Sequence, residues 1–311
     1  MGEGRYKSVT DTRPTDFDQY WTAVLDELAN TPSAPEVERV PIRDTDYATQ
    51  YSVRLTSIGP YRIFAYVSVP KGDGPFPALY FAPGYGSVVA NTQQGMPNGL
   101  RRDHIVFVLA ARGQRNSDKP YAASFPGLLT DGIDDPSAYR YRGIVADAVR
   151  GLGYLASRSD VDANRVAVLG SDMPLVIAGL STAASHVVDS PAIFYKAVKR
   201  AAGTQAYPLE ELNDYIRLFP ERRDAVERTM SYFDTRWFAS SVKAKTLVLA
   251  GAKGEPLSRD GLQPLLDNIG DNASVYEAGE DHSTYKEGVY KLSWLAKEFR
   301  LGAPVLPEHW Q

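Results

Sequence analysis

The sequence predicts an α/β protein with a mostly parallel sheet that is covered by helices on both faces. From residue 76 onward, short apolar runs alternate with longer segments whose apolar residues have helical spacing. This alternation is typical of strand–helix–strand crossovers, which produce parallel sheets. Before residue 76, stretches of alternating apolar and polar residues indicate antiparallel strands instead. In sheets of this class, functional sites form at the carboxyl ends of the parallel strands.

The predicted elements follow this order along the chain. Thr15 and Asp16 predict the cap of an N-terminal amphipathic helix. Three antiparallel strands are predicted at 36–44, 49–57 and 61–69. The apolar runs expected to form parallel strands cover residues 78–82, 105–110, 166–169, 197–202, 246–250 and 274–276. Helices are expected at 138–158, 174–187, 208–218, 221–231, 258–269 and 284–299.

The length of 311 residues, 43% of them hydrophobic, is sufficient for one large α/β domain. We therefore expect a single domain over residues 1–311 that has four parts. These are a polar arm (1–13), the N-terminal helix with the antiparallel strands (14–70), the core (71–300) and a tail (301–311).

Composition excludes several classes of function. The net charge of −4 lacks the basic excess of a nucleic-acid-binding protein, and no stretch is long and apolar enough to span a membrane. The absence of cysteine removes disulfides and thiolate chemistry. Because no metal-ligand spacing, phosphate loop or dinucleotide fingerprint is found, no metal or cofactor is expected. The first residues lack the apolar segment of a secretory signal, so we expect a cytoplasmic protein whose partner is a small-molecule substrate.

The segment around Asp172 combines a strand, a sharp turn and a helix. Gly170 stands two residues before Asp172, as in the nucleophile elbow Gly-x-Ser-x-Gly, where a tight turn excludes a side chain. Centring the elbow on Ser171 would place Leu169 and Met173 at the glycine positions, so Asp172 fits better. Taken alone, however, the pattern favours a simple helix cap, because Ser and Asp are preferred there.

Several further motifs together resemble the acetyl xylan esterase / cephalosporin C deacetylase family of α/β-hydrolases, over roughly residues 13–300. They are Arg13-Pro14-Thr15-Asp16-Phe17 with Tyr20-Trp21, Pro83-Gly84-Tyr85-Gly86, Arg112-Gly113-Gln114, the segment 132–142, Asp147 to Arg150, and Tyr232-Phe233-Asp234. The resemblance implies the α/β-hydrolase fold, a sugar-like substrate, an oxyanion loop at Tyr85 and assembly into a homo-oligomer.

The resemblance also implies that the catalytic positions are altered. The family elbow reads Gly-x-Ser-Gln-Gly-Gly, and Asp172 and Met173 take the places of its Ser and Gln. The family histidine falls on His282, which is also the one histidine of four that follows a strand at the carboxyl edge. The family acid is an Asp after a late strand. Here Glu255 is the nearest carboxylate, although an ungapped alignment places Gly254 at that position.

An aspartate at the elbow favours attack on an sp³ carbon. Its carboxylate is ionised at neutral pH, because the ordinary pKa is about 3.9. Attack on an ester carbonyl would give a reactive mixed anhydride, whereas attack on an sp³ carbon gives a stable ester. We therefore predict a hydrolase in which Asp172 forms a covalent ester with the substrate and His282, oriented by Glu255, activates the water that hydrolyses it. The backbone N–H groups of Tyr85 and Met173 are the predicted oxyanion donors.

Two alternatives remain open. In the first, the chain is a non-catalytic relative that binds a small ligand. The missing family acid and Pro174 in the first turn of the helix support this alternative. Alternatively, it is a deacetylase with an altered mechanism, in which Asp172 acts as the base for direct attack by water. Trp237 is a candidate for lining the substrate pocket, and a position in the core is its alternative.

Overall fold

The computed structural model describes residues 11–86, 92, 96–119, 123–304 and 306, so most of the predicted polar arm lies outside the described residues. The strands are β1 (Glu36–Arg39), β2 (Ala48–Ser57), β3 (Tyr61–Pro70), β4 (Phe76–Phe81), β5 (Ile105–Ala110), β6 (Val161–Ser171), β7 (His186–Ser190), β8 (Lys245–Ala250) and β9 (Ala273–Glu277). The helices are α1 (Phe17–Ala29), α2 (Met96–Leu100), α3 (Arg140–Ala156), α4 (Met173–Leu180), α5 (Ala197–Ala201), α6 (Glu210–Leu218), α7 (Arg223–Ser231), α8 (Thr235–Ala239), α9 (Gln263–Ile269) and α10 (Thr284–Glu298).

The strands form one nine-stranded sheet in the order β1-β2-β3-β5-β4-β6-β7-β8-β9. The pairs β1–β2, β2–β3 and β3–β5 are antiparallel. All pairs from β5–β4 to β8–β9 are parallel. The predicted antiparallel edge and mostly parallel sheet are therefore confirmed.

The side chains of β5 show how helices cover both faces of the sheet. Because successive residues of a strand point to opposite faces, Phe107 packs into a cluster with the buried residues of α1 and α3. Its neighbour Val108 packs into a second cluster with Leu292 and Leu295 of α10. Both faces are thus buried, and the α/β class predicted from the sequence is confirmed.

Two predicted elements are wrong. The run 197–202, predicted as a strand, is helix α5, because short apolar runs do not distinguish strand from helix and alanine is the strongest helix former. The missing central strand is β7, which the prediction had merged into a helix over 174–187. Helix α4 ends at Leu180 instead, and β7 offers only two consecutive apolar residues between polar ones.

Pro174 is compatible with the helix that follows β6. It occupies the first turn of α4, where the missing N–H group has no intrahelical acceptor to bond. Pro174 is therefore accommodated at the start of α4. Among the helices in the described part of the chain, none is long and apolar enough to cross a membrane.

Candidate functional site

Asp172 lies in the turn between β6 and α4, at the carboxyl edge of the sheet. Its backbone has φ 59° and ψ −45°, an uncommon conformation for a residue other than glycine. Its N–H group donates to the carbonyl of Ser190, 3.1 Å away at the end of β7. The turn therefore has the sharp strand-to-helix geometry that the sequence predicted for this position.

The side chain of Asp172 holds the loop that follows β7. The residue is 1% exposed. Its Oδ1 accepts hydrogen bonds from the backbone amides of Ile193 (3.0 Å) and Phe194 (2.7 Å). Its Oδ2 also accepts from Ile193, at 2.8 Å. Arg200 fixes the same loop by donating to the carbonyls of Ala192 and Tyr195. The Asp172 carboxylate thus stabilises the loop after β7 through backbone hydrogen bonds.

Burial also changes the ionisation of this carboxyl group. Loss of water raises the pKa of Asp172 to about 7, although the two backbone amides and the charge of Arg200 favour the ionised form. Asp189 on β7 is fully buried as well, and its pKa is raised by burial and by the charge of Asp172. At neutral pH, the elbow is therefore a pair of buried acids in which protonation of at least one group is favoured.

His282 and Glu255 are brought together in the loops after β9 and β8. The His282 Nε2 atom lies 3.1 Å from Glu255 Oε1, and the other Glu255 oxygen accepts from the amide of Ala252 at 3.0 Å. Both side chains are open to solvent, with 56% and 42% exposed. Within the described residues, no hydrogen bond joins His282 to Asp172. Of the three predicted catalytic residues, two are therefore in contact and the third is bonded elsewhere.

The remaining predicted site residues lie in different surroundings. Met173 is buried in the core at the start of α4. Trp237 lines a narrow cleft of about 50 Å³ together with Asp11 and Lys196, and the guanidinium of Arg236 lies 4.4 Å from its ring centroid. Neither side chain lines the cavity at Tyr85 described next.

A cavity of about 320 Å³ opens beside the loop after β4. The phenol of Tyr85 donates a hydrogen bond to the carboxylate of Glu211 on α6. The second carboxylate oxygen of Glu211 accepts from the amide of Leu129 at 2.8 Å. The lining residues are Gly84, Tyr85, Gly86, Ala111, Arg112, Gly113, Gln114, Ala123, Pro126, Gly127, Leu128, Ile144 and Glu211. We call this space the Tyr85–Glu211 cavity.

Glycine at position 127 makes room for the carboxylate of Glu211. A Cβ atom on Gly127 would lie 2.3 Å from the carboxyl carbon, which no real contact allows. Burial raises the pKa of Glu211, and the hydrogen bonds from Tyr85 and Leu129 lower it in part. The cavity therefore presents a buried hydrogen-bonding acid against apolar walls, which is the usual composition of a small-molecule site.

Side chains of the motif Arg112-Gly113-Gln114 anchor the loops around this cavity. Arg112 makes a bidentate pair with the buried Asp147, with contacts of 2.7 and 2.9 Å. Gln114 donates to the carbonyls of Gly86 (3.0 Å) and Gly84 (3.4 Å) and accepts from the amide of Ala111 at 2.9 Å. The side-chain amide of Gln114 therefore fixes the loop that carries Tyr85.

Glu211 is the site residue that sequence reasoning missed. It lies at the start of a correctly predicted helix and directly follows Glu210, which pairs instead with Arg217 and Asn213. Two adjacent acids at a helix start are typical of favourable interaction with the helix dipole. The sequence around Glu210 and Glu211 does not indicate which of the two side chains lines the cavity.

The sheet order and the turn between β6 and α4 define an α/β-hydrolase fold. Residues 4–255 match the model of the family described as acetyl xylan esterase (AXE1), and the chain belongs to this family of hydrolases. The match ends before His282. Among the described residues, no group of acids and histidines has the arrangement of a metal site.

The comparisons include a curated relative and two solved structures. An acetyl esterase, Axe7A of Xylanibacter ruminicola, is 27% identical over 303 residues, which cover 92% of this chain and 68% of the relative. Acetyl xylan esterase 1 from Thermoanaerobacterium sp. JW/SL YS485 superposes with a TM-score of 0.81 at 24% identity, covering 93% of this chain and 96% of its own. Acetyl xylan esterase from Paenibacillus sp. R4 superposes with a TM-score of 0.78 at 24% identity, and the match covers 92% of this chain and 95% of that esterase. These two structural likenesses establish the fold.

Proposed function

We propose that this member of the acetyl xylan esterase family binds a small, sugar-like ligand in the Tyr85–Glu211 cavity without forming a covalent bond to Asp172. The observation that carries the proposal is the direction of the Asp172 carboxylate. Both of its oxygens accept backbone amides of the loop after β7, and the residue is shielded from solvent.

A nucleophilic carboxylate must reach its substrate in the ionised form. To leave its place, Asp172 would have to release the amides of Ile193 and Phe194, and each buried amide left without an acceptor costs about 1–3 kcal/mol. Its raised pKa, about 7, further reduces the ionised fraction at neutral pH. Both effects oppose covalent attack.

The pair of His282 and Glu255 does not supply the missing proton transfer. In a serine hydrolase triad, the acid contacts Nδ1 of the histidine, and Nε2 faces the nucleophile. Here Glu255 contacts Nε2, and both side chains are solvent-exposed. The nitrogen that would serve the reacting group is therefore occupied by the acid.

The chemistry of the Tyr85–Glu211 cavity suits a polyhydroxylated ligand. The Glu211 carboxylate accepts hydroxyl protons, and the Tyr85 phenol can exchange its bond to Glu211 for one to the ligand. Leu128, Ile144 and Pro126 offer apolar surface to a sugar ring. A volume of about 320 Å³ lies at the lower end of the usual range of ligand pockets. The named relatives are an acetyl esterase and two acetyl xylan esterases, which favours an acetylated sugar or the sugar left after its deacetylation.

Calorimetric titration with D-xylose, an O-acetylated xylose and xylobiose tests this proposal. We expect Glu211→Gln to weaken binding about tenfold, because a hydrogen bond to a buried charge is lost. Tyr85→Phe should give a smaller loss. Glu221→Gln is the matched control, since that carboxylate is exposed and lies outside the cavity. Equal affinity of all four proteins, or the absence of saturable binding, would refute the cavity as the site.

The covalent mechanism is the second candidate, and the backbone of Asp172 favours it. Its positive φ in a strand-to-helix turn is the geometry that exposes a nucleophile in this fold. Intact-mass analysis of the His282→Ala variant, after incubation with alkyl halide, epoxide and activated glycoside panels, separates the two candidates. Our proposal expects no adduct. An adduct on Asp172 would establish the covalent mechanism. Acetate release without an adduct, abolished by Asp172→Asn, would instead indicate that Asp172 acts as the base for direct attack by water.

Three further proposals rest on the sequence and are supported by the family resemblance or by composition. They are a single cooperative domain, a closed homo-oligomer and a cytoplasmic location. Calorimetric unfolding in one transition, a mass in solution that is a multiple of the chain mass, and recovery from the cytoplasmic fraction of cells are the expected results.

A further inference from the structure

We propose that a second cavity, at the amino edge of the sheet, binds a phosphate dianion, either free or as a phosphate monoester. The cavity lies where β6, β7 and β8 begin or approach the edge, and its volume is about 620 Å³. Its lining residues are Asp162, Asn164, Arg165, Ser185, His186, Lys243, Lys245, Glu298, Phe299 and Arg300. Asp172 and the Tyr85 loop are at the opposite, carboxyl edge, so this proposal is independent of the proposed function.

His186 has a buried ring nitrogen without a hydrogen-bond partner in the described part of the chain. The residue is 6% exposed and lines the cavity, and its Nε2 atom has no hydrogen-bond partner among the described residues. Glu298 Oε2 lies 3.9 Å away, which is too far for a hydrogen bond. Buried polar atoms are nearly always satisfied, so an orphaned one at a cavity wall is a candidate contact for a ligand.

The neighbours of His186 leave its Nε2 atom without a partner in the described part of the chain. Nδ1 lies 2.8 Å from the hydroxyl oxygen of Ser185, and that hydroxyl also donates to the carbonyl of Val166 at 3.0 Å. Burial lowers the pKa of His186, which favours the neutral ring. In the bound state that we propose, the Ser185 hydroxyl donates to Nδ1, and the ring carries its proton on Nε2 and donates it to the ligand.

The charges around this cavity favour an anion. Arg165 is paired with Asp162 at 2.6 Å, and Lys245 with Glu298 at 2.6 Å. Lys243 and Arg300 line the same cavity and have no ion pair within the described residues.

Two positive charges therefore remain uncompensated, which matches the charge of a phosphate dianion. Because Glu298 is held by Lys245, its repulsion of such a ligand is reduced. Arg300 contributes a planar guanidinium that suits phosphate oxygens, and Lys243 contributes a mobile point charge.

Isothermal titration with inorganic phosphate at constant ionic strength tests the proposal, and a sugar phosphate in a parallel arm distinguishes the free ion from a monoester. We expect saturable binding that the double variant Lys243→Ala/Arg300→Ala abolishes. His186→Phe should weaken affinity about tenfold, because a donor to a charged group is lost. A phenyl ring preserves the packing of this position against Trp294 and Phe299.

Lys253→Ala, in a loop at the carboxyl edge, is the charge-matched control and should bind as the unchanged protein does. The double variant changes exposed side chains and keeps the test valid if His186→Phe unfolds. Absence of saturable phosphate binding, or an equal loss in Lys253→Ala, would overturn the proposal. Binding of inorganic sulfate with equal affinity would overturn its specificity for phosphate.

Discussion

Two buried carboxyl groups of this protein, Asp172 and Glu211, have similar environments and different neighbours. Both are shielded from water, both have raised pKa values, and both accept backbone amides. Glu211 lines the Tyr85–Glu211 cavity and reaches a phenol. In the described part of the chain, the Asp172 carboxylate accepts hydrogen bonds from the loop after β7, and the charges of Arg200 and Asp189 act on it. Of these two buried acids with shifted pKa values, Glu211 is therefore the one that has open space for a ligand beside it.

The largest expected effect comes from removing the Asp172 side chain. Asp172→Ala leaves the amides of Ile193 and Phe194 without acceptors, and we expect the free energy of unfolding to fall by about 2–5 kcal/mol. Urea denaturation measures this change. Asp172→Asn, which keeps one acceptor oxygen, is the control and should lose less. Wild-type stability in Asp172→Ala would show that the carboxylate is not structural and would restore the covalent hypothesis.

Gly127→Ala tests the other carboxyl group. The added Cβ would meet the Glu211 carboxylate at 2.3 Å, so the acid must shift out of its present place. Overpacking of this kind costs about 1–3 kcal/mol, and we expect weaker sugar binding together with a lower stability. Gly153→Ala is the comparison, because a Cβ at that helical position meets nothing within 4 Å. Unchanged sugar affinity in Gly127→Ala would separate Glu211 from ligand binding.

The pH dependence of stability gives the smallest change at each single step of the measurement. The native state binds a proton at Asp172 up to a pKa of about 7, whereas the unfolded chain releases it near the ordinary value of 3.8. The stabilising contribution of the protonated group is therefore complete below that ordinary value and is lost as pH rises to about 7. The slope is at most about 1.4 kcal/mol per pH unit for one proton.

Urea unfolding at intervals between pH 4 and 8 measures this slope. Asp172→Asn carries a neutral side chain at every pH and should flatten the dependence. A variant slope equal to that of the unchanged protein would place the responsible proton elsewhere.

Much of the fold could be predicted from the sequence, because hydrophobic periodicity reports local structure and both faces of the sheet are covered. The antiparallel edge, the parallel core and the turn at Asp172 follow from such patterns. Strand β7 could not be predicted in this way, since Val187 and Val188 are its only consecutive apolar residues and Asp189 interrupts the run.

The candidate site was less predictable, because the direction of a side chain depends on contacts distant in sequence. The motif located Asp172, but its hydrogen bonds reach residues 21 and 22 positions later in the chain. Tyr85 and Glu211 are 126 residues apart in the chain, and the sequence around neither residue indicates that they pair. The contact between Glu255 and His282 was anticipated because both follow strands at the same edge.

The hydrogen bonds of Asp172 have a consequence for enzyme engineering. A serine placed at this position would be one carbon shorter and would have a single oxygen, so it could not serve both amides of Ile193 and Phe194. The exchange would therefore disturb the segment beside it before any nucleophile was in place. Installing esterase chemistry in this chain would begin with a redesign of residues 191–196, and a hydroxyl at position 172 would follow as the last step.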